Sequence, residues 1–190
     1  MPQTTGLQFT ARLGLLPDDT LAVVDFELRE GLSRAFILDL NLASSFAGVE
    51  ADEVLDQSAE LSIWQDGQLQ RRVRGIVRSF ERGDTGHRRT RYTLQVVPPL
   101  WRLSLMHNSR IFQRQDTQAI LATLLAERGI VDTAFHLKRP VQARAYCVQH
   151  RESDYDFLSR LAAEEGWHLR TDADSDTQAL VIADHHRDAP

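Results

Sequence analysis

The chain has 190 residues, of which 42% are hydrophobic and 26% charged, so it is neither disordered nor collagen-like and has enough apolar material for a core. Its 22 Lys and Arg against 27 Asp and Glu give a net charge of −5, which argues against a general nucleic-acid-binding protein. No apolar run approaches the roughly 18 residues of a membrane helix, Met1–Thr10 lack the features of a Sec signal peptide, and a single cysteine, Cys147, excludes an internal disulfide.

The first hundred residues are typical of β-strands separated by turns. Leu7–Leu13 and Ala35–Leu42 alternate apolar and polar residues with a period of two, which indicates strands with one buried face. The glycines of Gly83–Gly86 predict a hairpin turn between strands at Val73–Arg82 and Arg89–Val97. Short strands with regular turns favour a β-barrel or sandwich, and we predict a mainly antiparallel β-barrel domain at residues 1–100. Further expected elements are strands at Leu21–Leu28 and Leu61–Trp64 and an irregular loop, or a connection across a barrel mouth, at Ser44–Ser58.

After Pro98-Pro99 the pattern changes to helices and short strands. Apolar residues between Ile120 and Leu125 form a helical stripe, Asp116 is a suitable N-cap and Gly129 a suitable C-terminal stop, which predicts a helix over 116–128. We therefore predict a smaller α+β domain at residues 101–190. Its short strands are predicted at Ala134–Leu137, Ala143–Gln149, Trp167–Arg170 and Ala179–Ile182.

A second helix is predicted from about Ser153 to Glu165. Ser153 caps it, acidic residues occupy its first turn, and Gly166 ends it. Phe157 and Leu161 lie four residues apart, so they share one face of this helix, and we expect that face to be buried.

A search for catalytic or metal-binding groups finds no convincing set. His185 and His186 are adjacent on a predicted strand, where neighbouring side chains point to opposite faces. Ser153 is better explained as a helix cap than as a nucleophile, and Cys147 is interpreted as a buried, inert thiol on a predicted strand. We therefore predict that the chain is not an enzyme, and that it has no catalytic residue, no metal and no cofactor.

Two segments remain that composition does not explain. The first runs VPPLWRL at 97–103 and then NSRIFQ at 108–113; the second is RAYCVQHRESDYDFLSRLAAEEGW at 144–167. Both closely resemble the amino-terminal region of VgrG proteins, the trimeric spike of bacterial type VI secretion. That family shows roughly P-x-L-W-x-L, then R-I-F-Q, a helix, and Y-x-V-Q-Y-R-E-S/T-D-x-x-F-x-x-R-L-x-E-E-E-G. Here His150 replaces the usual tyrosine, and Ala163 stands where an acid is common.

The resemblance implies a fold like that of the phage tail hub, with a β-barrel followed by an α+β insertion. In the family a second barrel, a neck and a needle follow, and three chains form a ring on the hexameric Hcp tube. We expect the chain to end inside the insertion, and the isolated piece to be a monomer or a weak oligomer with an exposed apolar patch on its barrel.

The function implied is that of a structural spike component that helps deliver effectors. The implied partners are two further copies in the full-length protein, the Hcp tube, baseplate proteins, and effectors or adaptors, with no nucleic acid and no stable membrane insertion. The implied location is the cytoplasm before firing, then secretion or translocation into a target cell. Alternatives are a contractile-phage tail hub (late control) protein and an enzyme such as a metal-dependent hydrolase.

The motif residues are predicted to have scaffold roles. We expect Ile111 and Phe112 to anchor the linker between the domains to a core. We expect charged residues around the second helix to form an ion-pair network that fixes the strand-to-helix turn, the alternative being a solvated helix face. Because Arg160 lies six residues after Asp154 and eight after Glu152, these groups can meet only across the helix start or across chains. The predicted structural motif is Arg110, Phe112, Gln113, Tyr146, Gln149, Arg151, Glu152, Asp154, Phe157, Arg160, Leu161 and Gly166, with Arg144 a further member of the charged network.

Overall fold

The computed structural model describes residues 6–18, 20–86, 88–171 and 180–185. The chain forms two compact units: an N-terminal unit of residues 1–30 and 36–98, and a C-terminal unit of residues 31–35 and 99–190. The predicted fold class, mainly antiparallel β with a smaller α+β part, is confirmed.

The N-terminal unit is built on one six-stranded sheet and a short helix. Its elements are β1 Leu7–Leu13, β2 Ala22–Gly31, β3 Arg34–Ser44, the one-turn helix α1 Ala51–Val54, β4 Ser58–Gln65, β5 Gln68–Thr85 and β6 Thr90–Val97. The strand order in the sheet is β1-β4-β5-β6-β3-β2. The pairs β1–β4, β4–β5, β5–β6 and β6–β3 are all antiparallel.

Alternation along the strands puts one face of the central strands into the core. In β3, Leu38, Leu40 and Leu42 are almost fully buried, and they lie opposite Val96, Leu94 and Tyr92 of β6. Gly75 of β5 is required by this packing, because a Cβ atom there would collide with the Val97 carbonyl oxygen. The period-two pattern therefore predicted the buried face of β3, but the edge strand β2 has no fully buried residue, and Val24 on its apolar face is 50% exposed.

The two edge strands meet through side chains. The rings of Phe9 in β1 and Phe26 in β2 contact edge to face, with centroids 5.2 Å apart. Across the described residues of these strands no hydrogen-bonded pairing joins β1 to β2. The sheet is thus compatible with a barrel in which side chains of β1 and β2 are in contact, although no backbone hydrogen bonds join the described residues of these two edge strands.

Two details of the N-terminal unit differ from the predictions. Strand β5 continues through Gly83 to Thr85, and the Gly86 N–H donates to the Arg89 carbonyl oxygen (2.9 Å), so Gly83 extends the strand. The segment predicted to be irregular contains α1. Glycine content alone does not separate a turn from the bulged end of a long strand, and the β5–β6 register does shift between Arg82 and Thr85.

The C-terminal unit combines two long helices with two small sheets. Its elements are a 3-10 helix at Pro99–Leu105, β7 His107–Gln115, α2 Thr117–Glu127, β8 Thr133–His136, β9 Arg144–Ser153, α3 Asp154–Glu165, β10 His168–Thr171 and β11 Leu180–Ala183. Strands β7 and β9 form an antiparallel ribbon. In the second sheet β11 lies between β10, to which it is antiparallel, and β8, to which it is parallel. Strand β7 was not predicted, and Ala179, the predicted start of the last strand, lies outside the described residues.

Both long helices have the caps that the sequence predicts. The Asp116 carboxylate accepts a hydrogen bond from the Ala119 N–H (2.8 Å), and the Ser153 hydroxyl accepts one from the Asp156 N–H (3.0 Å). Gly166 ends α3 in the left-handed conformation with φ 70°. The apolar faces of these helices form the core of the unit through the fully buried residues Ile120, Leu121, Leu124, Leu125, Phe157, Leu158 and Leu161.

None of the helices in the described ranges has the length and apolar character needed to cross a membrane.

Candidate functional site

The most distinctive site lies where strand β9 passes into helix α3. Asp154, the first residue of α3, has a fully buried side chain whose carboxylate accepts four hydrogen bonds. Its Oδ1 accepts from Asn108 Nδ2 (2.8 Å), Arg110 Nη2 (3.0 Å) and Gln149 Nε2 (2.8 Å), and its Oδ2 accepts from Arg128 Nη2 (3.0 Å). The donors come from β7, from β9 and from the end of α2. One buried carboxylate therefore joins three elements to the start of α3.

The charge of this carboxylate is stabilised by its surroundings. Burial alone would raise the pKa of Asp154, but the hydrogen bonds from Gln149, Asn108 and Arg128 and the charge of Arg110 outweigh that effect and lower the pKa. The position at the amino end of a helix also favours a negative charge. Asp154 is therefore an ionised group held between two guanidinium groups.

The donors to Asp154 are themselves held in place. Arg110 Nε donates to Gln149 Oε1 (2.9 Å), its Nη1 donates to Glu127 Oε2 (2.7 Å), and its guanidinium lies 5.4 Å from the centre of the Phe112 ring. Gln149 is fully buried, and its amide nitrogen also donates to the Glu152 carbonyl oxygen (3.2 Å). These additional hydrogen bonds fix the position and orientation of Arg110 and Gln149, whereas the Nε of Arg128 is buried without a hydrogen-bond partner in the described ranges.

A second group of ion pairs runs along the outer side of α3. Arg160 bridges Glu152 (Nη2–Oε1, 2.6 Å) and Glu164 (Nη1–Oε1, 3.1 Å), and Arg144 bridges Glu164 (2.6 Å) and Glu165 (2.7 Å). These contacts raise the pKa of both arginines and lower the pKa of Glu164 and Glu165. The Arg160 and Glu164 side chains are 42% and 41% exposed, so water and salt screen this group far more than they screen Asp154.

The structure brings together part of the predicted motif. Arg110 and Gln149 meet at Asp154, and Arg160 meets Glu152 across the helix start within one chain. Phe157 and Leu161 are fully buried below the site, and the Phe157 ring stacks on Phe112 with centroids 5.7 Å apart.

Other motif residues lie away from the carboxylate. Arg151 is exposed, and Gln113 and Tyr146 are exposed partners across the β7–β9 ribbon. The prediction that Ile111 anchors the linker to a core is wrong, because its side chain is 60% exposed while that of Phe112 is 9% exposed. The segment is a strand, and neighbouring residues of a strand face opposite sides.

Sequence reasoning missed Asn108 and Arg128. Asn108 lies inside a motif segment, but only the antiparallel pairing of β7 with β9 brings it to the carboxylate. Arg128 is the C-cap of α2, a position where a basic residue is ordinarily explained by the helix dipole. Asp154 lies 26 residues further along the chain, so no local spacing connects the two.

The remaining titratable groups offer little for metal or nucleophilic chemistry. Within the described ranges no three His, Cys, Asp or Glu side chains are placed to hold a metal ion. His186 lies outside those ranges. The Asp184 carboxylate accepts hydrogen bonds from the backbone N–H groups of Lys138 and Arg139. Cys147 is buried, and burial raises the pKa of its thiol.

The fold is antiparallel β-structure followed by a unit of two long helices and two small sheets, in which the protein's own side chains bind the buried Asp154 carboxylate. Residues 29–190 match the family model of the phage tail baseplate hub (GPD). The chain belongs to the phage tail baseplate hub (GPD) family.

Two curated relatives are similar over most of the chain. The type VI secretion system spike protein VgrG3 of Vibrio cholerae serotype O1 is 47% identical over 169 residues, covering 84% of this chain and 17% of that protein. The actin cross-linking toxin VgrG1 of the same species is 48% identical over 169 residues, covering 84% of this chain and 15% of that protein. The chain thus spans less than a fifth of the length of these relatives, and the resemblance to VgrG proteins is confirmed.

A solved structure has the same fold. The E. coli c3393 protein, described as a component of the type VI secretion system with structural similarity to the T4 bacteriophage tail proteins gp27 and gp5, matches with a TM-score of 0.83 and 26% identity. The match covers 93% of this chain and 49% of that chain.

Proposed function

We propose that this chain is a structural component of the spike at the base of a type VI secretion machine. The observation that carries the proposal is its 47% identity, over 84% of its length, to a protein named as such a spike. The family model, named for the phage tail baseplate hub, favours one alternative, the equivalent hub of a contractile phage.

The proposed assembly follows from that role. Three chains of the full-length protein form the hub, the N-terminal units contribute to a ring on the Hcp tube, and baseplate proteins, effectors or adaptors bind around it. The protein is cytoplasmic before firing and is then translocated into a target cell.

In this proposal the chain is not an enzyme. The name of the VgrG1 relative includes a toxin activity, but the matched region is 15% of that protein. In the present chain the buried Asp154 carboxylate is bound by Asn108, Arg110, Gln149 and Arg128, which suits a scaffold role. We propose that this network fixes the turn from β9 into α3.

Deletion of the gene in the bacterium that encodes it tests the proposed role. We expect Hcp to disappear from the culture medium, and a plasmid copy of the gene to restore it. A deletion that leaves Hcp secretion unchanged and instead abolishes infectious phage particles would favour the phage hub; a deletion that changes neither would contradict both roles.

Light scattering coupled to size exclusion tests the assembly of the chain alone. Association must overcome about 4–15 kcal/mol of lost translational and rotational freedom. We expect a monomer or a weak oligomer, and a stable trimer at micromolar concentration would contradict that expectation.

A further inference from the structure

A short segment from early in the chain forms part of the C-terminal unit. Residues 31–35 connect β2 to β3 in the sequence, but they belong to the same compact unit as residues 99–190. We call residues 31–35 the strap. Within the C-terminal unit the strap forms hydrogen bonds with strand β10 and with helix α3.

The strap occupies the open side of strand β10. Across the described residues, β10 lies at the edge of its sheet and pairs with β11 on one side. On the other side, the Ser33 N–H donates to the Leu169 carbonyl oxygen (3.2 Å), and the Ser33 Oγ accepts from the Leu169 N–H (3.2 Å). One serine thus binds both backbone polar groups of Leu169, in the place of a neighbouring strand.

A third hydrogen bond joins the strap to helix α3. The Ala35 N–H donates to the Tyr155 hydroxyl oxygen (3.3 Å), and the Tyr155 side chain packs against the core of the unit, to which Leu169 also belongs. All three bonds are at the long end of the range for N–H···O hydrogen bonds, whose most frequent distance is about 2.9–3.0 Å. The strap is therefore held by three long hydrogen bonds to elements that are themselves anchored in the core.

Two features of the strap favour its opening. Leu32, its large apolar residue, is 58% exposed, so its burial contributes little to the closed position. Ser33 has φ 55°, in the left-handed region that is unfavourable for an L-residue, so the backbone is strained while Ser33 binds Leu169. Opening the strap would release this strain and would expose little additional apolar surface.

We propose that the strap opens and closes over the edge of β10 as one cooperative unit, while the rest of the C-terminal unit stays folded. Ser33 and Ala35 are two residues apart in one short segment, so their three hydrogen bonds break together. The open strap leaves the Leu169 N–H and C=O at a sheet edge without a partner, and such groups allow a strand of another chain to add. The closed strap shields this edge. The inference concerns the C-terminal unit alone and does not depend on the proposed spike role.

Amide hydrogen exchange of the full chain, measured residue by residue by NMR, tests the strap. The N–H groups of Ser33, Ala35 and Leu169 should have protection factors equal within about threefold, because one opening exposes all three. The Arg170 N–H should be protected at least about tenfold more, because neighbouring residues of an edge strand direct their backbone groups to opposite sides and Arg170 pairs with β11. Equal protection at Leu169 and Arg170 would contradict a separate opening of the strap.

Two conservative variants test whether the three bonds open together. Tyr155→Phe removes the acceptor of the Ala35 N–H and keeps the ring, whereas Ser33→Ala removes the acceptor of the Leu169 N–H and keeps the Ser33 backbone donor. We expect each variant to lower the protection of both Ala35 and Leu169 by about threefold to tenfold, the effect of about one hydrogen bond. A decrease confined to the N–H whose own acceptor was removed would contradict the proposal, as would unchanged protection at both.

Tyr146→Phe is the matched control, because it removes the same hydroxyl group at an exposed position of β9. It should leave the protection of Ala35 and Leu169 unchanged. The Leu161 N–H in the middle of α3 reports on the unit as a whole, and its protection should stay within about twofold of wild type in every variant. A decrease at Leu161 as large as that at Leu169 would show that the whole unit opens at once and would overturn the proposal.

Discussion

The two units differ in how deeply they bury their arginine and carboxylate pairs. On the N-terminal sheet the described pairs keep some contact with water: Arg71 and Glu30 are 45% and 44% exposed (Nη2–Oε1, 2.6 Å), and Arg74 and Glu60 are 18% and 17% exposed. In the C-terminal unit Asp154 is fully buried and holds Arg110 and Arg128. Exposed pairs contribute little because water competes for both partners, whereas removing one member of a buried network leaves the others without a partner.

The difference follows from how each unit fills its core. The antiparallel sheet has one apolar face per strand, and among its described residues no charged side chain is fully buried. The C-terminal unit joins a two-stranded ribbon to two helices. The Asp154 carboxylate, through four side-chain donors, links the start of α3 to that ribbon and to the end of α2, so the stability of this unit should depend on it.

The largest effect is expected from the core beneath the network. Phe157→Ala removes a fully buried ring that stacks on Phe112 and lies under the Arg160 guanidinium (5.2 Å), so it should lower the free energy of unfolding by about 3–5 kcal/mol. Urea unfolding followed by tryptophan fluorescence, in a background where Trp64 and Trp101 are replaced by Phe so that the signal comes from buried Trp167, measures it in the C-terminal unit. Tyr146→Ala, at an exposed ring, is the control and should change stability little. An unchanged urea midpoint in Phe157→Ala would contradict the assigned core.

The second-largest loss of stability is expected when the hydrogen-bond network around Asp154 is removed. Asp154→Ala leaves two guanidinium groups and the buried Gln149 amide without their shared acceptor. We expect the free energy of unfolding to fall by about 3 kcal/mol, and not by more, because the arginines retain some contact with water. The matched control is Asp39→Ala on the N-terminal sheet, where the carboxylate pairs with Arg29 and is 33% exposed; its loss should stay below about 1 kcal/mol. If Asp154→Ala and Asp39→Ala lowered the free energy of unfolding equally, the buried network would contribute no more than the partly exposed pair, which would contradict the comparison between the units.

Acid should weaken the C-terminal unit through the same group. The pKa of Asp154 is lower in the folded state than in the unfolded chain, so the unfolded state binds more protons as the pH falls below the ordinary aspartate value of about 4. The stabilisation is complete above that value and is lost as the pH falls towards the depressed folded pKa. Urea midpoints between pH 7 and pH 3 should decline, and Asp154→Asn should make that decline less steep. Glu164, Glu165 and Asp184, whose pKa values are also lowered in this unit, contribute to the remaining pH dependence. An identical pH profile in Asp154→Asn would contradict this account.

The features that could be predicted from the sequence are those that depend on residues close to each other in the chain. The caps Asp116 and Ser153 and the terminator Gly166 act within one turn of their helices, so residue type and spacing identified them. The convergence of Asn108 and Arg128 on Asp154 depends on strand pairing and helix packing, which no local pattern encodes.

The prediction failed where two local patterns look alike. RIFQ at 110–113 contains two adjacent apolar residues, which suit either a buried linker or a strand with one side exposed. Pairing of β7 with β9 decides between them, and it turns Ile111 outward. The same residues indicated the right family, but they did not predict that Ile111 is exposed and Phe112 is buried.

The smallest effect is expected at the exposed pair of the N-terminal sheet. Glu30→Ala removes the carboxylate that Arg71 binds, yet both side chains are nearly half exposed, so water takes over the guanidinium and the loss should lie between zero and about 1 kcal/mol. Any loss should fade when salt is raised to about 1 M, because the Debye length then shrinks to about 3 Å. Urea unfolding of wild type and Glu30→Ala at low and high salt measures both quantities. A loss above about 2 kcal/mol that persists at high salt would mean that this surface pair behaves like the buried network at Asp154, and that the two units do not differ in the way their charges are held.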